Sequence, residues 1–179
     1  LKKLFVKICD FFYYRFFDVY HKIDTGLKPN YHEIETRMLY GCFSLLVQYV
    51  EKAFSGIKSI EDRIEYLKNS AIKEIEENPD HGKQIAEHFE DEIIVLYEVM
   101  RLYLWWKEIF PNYEKNDPWM KDENDHLVKS YVENFKLGKN NSEGLESFFS
   151  ECEKFDENKK QEITNNLLSL VKIRESMWI

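Results

Sequence analysis

The stretch IAEHFEDEIIVLYEVMRLYLWWKEIFPNYEKNDPW, residues 85–119, decides the fold. In its first half Ile85, Phe89, Ile93, Leu96, Met100 and Tyr103 recur every three or four residues, the spacing of one face of an α-helix. Near its end Leu102, Leu104, Trp105 and Trp106 widen that stripe almost to all sides. A helix apolar all round must be buried or must meet a partner. Pro111 is expected to end the helix, because its ring removes a backbone donor and clashes with the preceding turn. After a polar link, Asp117-Pro118 reads as an N-cap followed by proline at the first helical position, opening a helix that runs to Leu137.

Working outward, the same periodicity covers most of the chain. Leu1, Phe5, Ile8, Phe12, Phe16, Val19 and Ile23 form a first helical stripe, stopped at Gly26. Asn30 with Glu33 resembles a capping box. It introduces a second helix with Ile34, Met38, Cys42, Leu45, Tyr49 and Ala53 on the inward side, ended by Gly56. Gly41 within it costs about 1 kcal/mol relative to Ala, which close approach by another helix would offset. Ser59 and Asp62 are expected to cap a third helix from Ile60 to Glu77, with Ile64, Leu67, Ala71, Ile72 and Ile75 inward. The NPDHG turn follows, with Asp80 capping the helix of the opening stretch. Beyond it the segment 138–142 reads as a loop and flexible point. Ser142 caps helical sequence to Phe155, and a last helix spans Glu157 to Met177. Only 6 Gly and 4 Pro punctuate the 179 residues, too few for the tight turns of a sheet protein. The expectation is one all-α domain over 1–179, a compact bundle of six or seven helices.

Composition bounds the function. With 44% apolar and 16% aromatic residues the chain has the material for a packed core. The formal charge of −8 argues against general nucleic-acid binding, which needs a basic face to neutralise phosphates. Local positive excess occurs only at residues 1–28, with six Lys/Arg against three Asp. Cys9, Cys42 and Cys152 are odd in number and widely spaced, which fits reduced thiols in a cytosolic protein better than disulfides or a zinc site. No apolar run approaches the roughly 18–20 residues of a membrane span. The basic-then-apolar start resembles a signal peptide only until Asp10 and Arg15 interrupt it. Leu1 in place of an initiator Met implies residues upstream.

Four groups of residues are candidate sites. In FFYYRFFDVYH (residues 11–21), Arg15, Asp18 and Tyr20 stand among aromatics around a helix. They form either a recognition surface or a core helix with an Arg15–Asp18 ion pair. Glu74/Glu77 and Glu87/Glu90 are E-x-x-E pairs, whose carboxylates share a helix face and can hold Mg²⁺ with water; the alternative is a solvated outer face. This arrangement resembles the MazG-type all-α nucleotide pyrophosphohydrolases, although Val95 stands three after Glu92 where that family would place Asp. The histidines lack H-E-x-x-H or E-x-x-H spacing, and Asp80-His81 and Asp125-His126 reverse the metal dyad of the HD-type phosphohydrolases. Finally, Trp105, Trp106 and Trp119 serve either as interface anchors, aromatic residues being enriched at hot spots, or as pins between the fourth helix and its link.

Residues 13–27, YYRFFDVYHKIDTGL, and 103–119, YLWWKEIFPNYEKNDPW, resemble a set of uncharacterised small all-helical proteins of tailed phages. One shared pattern falls on Arg15, Asp18, Tyr20 and Ile23, the other on Trp105, Trp106, Pro111, Asp117 and Pro118. The resemblance implies a viral setting in a host cytoplasm and assigns no catalytic residue. The expected function is therefore that of a non-enzymatic helical protein, without a cofactor, that binds a protein partner or a small ligand. Countering host defence is a role that fits. A magnesium-dependent nucleotide hydrolase and a virion or packaging component, self-associating as a homo-oligomer, are the alternatives.

Overall fold

The helical spacing read above is realised in a computed structural model that describes residues 25–27, 31–78, 80–121, 124–136 and 145–178. The described residues form one all-α body without strands. The first expected helix, the 138–142 loop and the Ser142 cap lie outside them.

Helix α1 spans Ile34–Gln48 and continues as a wider π turn over Tyr49–Ala53. The chain then reverses through Ser55 and Gly56, both at positive φ, and Gly56 at +110° is the N-cap of α2, Ile57–Glu77. The third helix thus begins earlier than expected, and no side chain caps it, neither Ser59 nor Asp62. A short turn leads into α3, Gly82–Leu104, whose N-cap is His81 and not Asp80. The close backbone approach expected at Gly41 occurs instead at Gly82. A Cβ on Gly41 would meet nothing within 4 Å, whereas one on Gly82 would overlap the Glu74 carbonyl and lie 2.9 Å from Ile75 Cα. The short connection makes α2 and α3 an antiparallel hairpin, in which Ile60, Ile64 and Leu67 share a core with Leu96, Val99 and Leu102. Arg63 and Glu92 close its outer side at 2.9 Å.

Pro111 does not end the fourth helix. The chain widens into a π turn at Trp105–Ile109, in which the Phe110 N–H bonds back to the Trp105 carbonyl, then tightens to a 3₁₀ turn at Phe110–Asn112. The widened turn gives the proline ring room that a regular α-helix lacks, and the helical path resumes as α4, Tyr113–Asn116. Asp117 does cap the next segment, accepting from the Trp119 N–H at 3.0 Å, with Pro118 at its first position. That segment is only a 3₁₀ turn, Pro118–Met120; the helix that follows, α5, covers Asp125–Lys136. The last two expected helices are one, α6, Leu145–Ile173. The polar run EKFDENKKQE (residues 153–162) contains no Gly or Pro, so nothing in the backbone breaks the helix there.

Two faces sit differently from their expected placement. On α1 and its π turn the core residues are Leu39, Phe43, Leu46 and Val50, while Ile34 and Met38 are 73% and 64% exposed. Both sets have helical spacing, and contact with α3 selects the one carrying Phe43. On α2 Ile72 and Ile75 are also exposed, because that end of the hairpin extends past the core. None of the helices among the described residues is long and apolar enough to cross a membrane.

Candidate functional site

The π turn that follows α3 delivers two tryptophans into an aromatic knot. Trp105 is buried, 3% exposed, with its ring 5.2 Å from Phe43 and 5.4 Å from Phe110. Burying an indole requires a partner for its N–H. Glu162 of α6 supplies it, accepting from Trp105 Nε1 at 2.7 Å. The other oxygen of Glu162 accepts from the Tyr113 hydroxyl. Burial, and secondarily the Glu162 carboxylate, pushes the Tyr113 phenol up to about 12. One carboxylate of α6 therefore fastens both sides of the π turn that Pro111 requires.

Trp106 is held between two rings. It stacks on Phe43 at 4.7 Å and 11° and on Phe110 at 4.4 Å and 21°, with Tyr40 edge-on at 4.9 Å. Both indole faces are occupied by the protein's own side chains, so Trp106 offers no platform for a planar ligand. Its edge lines a cleft of about 630 Å³ with Tyr40, Phe110 and Tyr113. The cleft's charges are mixed, with Lys107 and Lys159 against Glu114 and Asp117. Lys107 is already engaged by Glu51 at 3.0 Å, and that pairing holds the Glu51 carboxyl below its ordinary range and raises the Lys107 ammonium.

Trp119 is placed by the Asp117 cap, and its neighbour Pro118 is buried. It is 38% exposed. Its ring meets Phe148 at 5.1 Å and 76° and Phe149 at 5.9 Å and 55°, both inclined contacts. Among the described residues no ring stacks on either face of its indole. Beside it a groove of about 510 Å³ runs along α6, floored by Phe149 and the buried Cys152. Burial raises the Cys152 thiol, and the neighbouring carboxylates Asp117, Glu151 and Asp156 raise it further.

The other candidates fall elsewhere. Arg15, Asp18 and Tyr20 lie outside the described residues. Glu77, Glu87 and Glu90 are exposed; Glu77 faces Lys73 at 3.7 Å and Glu74 accepts from Asn78 Nδ2 at 3.1 Å. Among the described residues no three His, Cys, Asp or Glu side chains come together in a way that could hold a metal ion. A polar cluster between α3 and α6, in which Asn166 is buried and Arg101 reaches solvent, has no signal in the sequence. Glu98 holds Arg101 through two bonds of 2.7 Å, and Arg101 donates to the buried Asn166 at 2.8 Å. Glu51, Asn166 and Glu162 were equally illegible, since each is one polar residue among many on long helices. No family model, curated protein or solved structure matches this chain.

Proposed function

We propose that this is a non-enzymatic, phage-type helical protein that acts by binding, and that Trp119 with the groove on α6 is its contact surface. The observation that carries this reading is the partly exposed Trp119 indole, on which no ring among the described residues stacks, beside a groove lined by Phe149 and Cys152. Aromatic side chains of this kind concentrate binding energy because they bury large area at low entropic cost. The viral setting and a role in countering host defence rest on the resemblance at 13–27 and 103–119. We read the domain as the compact bundle of six or seven helices that the apolar spacing predicts.

The test is affinity capture from infected host cells, run in parallel with wild-type protein and Trp119→Ala. A defined species retained by the first and lost from the second is the expected result; indistinguishable captures would sink the reading. Among the described residues the hydrolase alternative has no grouping of carboxylates in its favour. Magnesium-dependent turnover of a nucleoside triphosphate that falls in Glu87→Gln would revive it.

A further inference from the structure

The groove beside Trp119 has a chemistry that narrows its partner. Phe149, Cys152, Glu153, Asp156, Glu157 and Lys160 line it from α6. Their spacing of three and four residues places them on one helix face, and Glu153 to Lys160 spans about 10 Å at the helical rise per residue. Three carboxylates thus stand beside one ammonium around an aromatic floor. The carboxylates of Glu153, Asp156 and Glu157 hold no ion pair with any described residue. On the solvent-facing surface of α2, by contrast, Lys58 sits 2.8 Å from Asp62. An indole with an open face attracts cations through its ring quadrupole, and adjacent carboxylates act in the same direction.

We propose that this groove takes a basic, apolar-anchored segment of a partner protein, its apolar side chain on the Trp119–Phe149 floor and its Lys or Arg groups against Glu153, Asp156 and Glu157. The proposal rests on the binding reading above and adds the partner's chemistry. An open channel along a helix face suits an extended or helical segment better than a compact small molecule.

The probe is a short, labelled peptide of alternating Leu and Lys, with a matched peptide carrying Glu for Lys, measured by fluorescence anisotropy against the full chain. The Lys peptide binds and the Glu peptide does not. Trp119→Ala, and separately the triple variant Glu153→Gln/Asp156→Asn/Glu157→Gln, each weaken binding about tenfold or more, the scale of a lost hot spot. Circular dichroism confirms that both variants remain helical. The control triple variant Glu87→Gln/Glu90→Gln/Asp91→Asn, with the same change in charge on α3, binds as wild type. Equal weakening by the control would reduce the effect to net charge and overturn the proposal. Trp119-dependent binding of the Glu peptide overturns the basic partner while leaving a binding surface in place. Self-association of the free chain that Trp119→Ala abolishes overturns it in favour of a second copy. No binding of either peptide overturns it too, and the capture experiment then decides the broader reading alone.

Discussion

Trp106 and Trp119 both rest on phenylalanines, yet in opposite ways. Trp106 lies nearly parallel between Phe43 and Phe110, both faces spent on its own fold. Trp119 meets Phe148 and Phe149 at inclined angles, lines a groove, and has no ring stacked on it among the described residues. The difference teaches that an aromatic-rich motif is not one site. Its first half is a joint that seats a proline inside a helical path, and its second half leaves surface to spare.

Breaking the joint has the largest expected effect. Phe43→Ala removes the ring on which Trp106 stacks and a fully buried core side chain, and should cost about 3–5 kcal/mol. Chemical denaturation checks this; a loss below about 1 kcal/mol would show that the stack contributes little beyond ordinary surface contact. Trp105→Phe keeps most of the apolar volume but deletes the N–H donated to Glu162, and should cost about 1–2 kcal/mol, since the exposed carboxylate regains water. If the two substitutions proved equally costly, the hydrogen bond and not the packing would be the fastening. Trp119→Ala should cost less than either, about 1 kcal/mol or below, because its ring is already partly in water. A larger loss would move Trp119 from the open half of the comparison to the closed half.

The smallest effect is confined to alkaline pH. Tyr113 has its phenol raised in the folded protein to about 12 from an ordinary value of 10.0, so folding favours the neutral form. Its contribution is therefore fully present below about pH 10 and is lost as pH rises through about 12. Thermal melts should show Tm falling across that window in the wild type and falling less in Tyr113→Phe. Identical alkaline profiles would mean that the Glu162–Tyr113 contact does not couple to stability.

The fold class was legible because period and punctuation are local. Ile60, Ile64 and Leu67 repeat at helical spacing, and the Asp117-Pro118 cap forms where those two residues stand. Helix α1 shows where such reading stops. Leu39, Phe43, Leu46 and Val50 and the alternative set Ile34, Met38, Cys42 and Leu45 satisfy the same spacing, so periodicity cannot choose between them. Packing chose, through the stack of Phe43 on Trp106. Pro111 is a second instance: its local rule is to stop a helix, and a π turn fastened from α6 by Glu162 accommodates it.

By itself, then, the sequence determined an all-helical chain, most of its turns and the residue types in its aromatic motif, since these follow from spacing and backbone chemistry within a few residues. Only the tertiary structure decided which tryptophans are spent on the core and which one stands open. That choice depends on what Phe43, Phe149 and Glu162, distant in the chain, bring to each indole face.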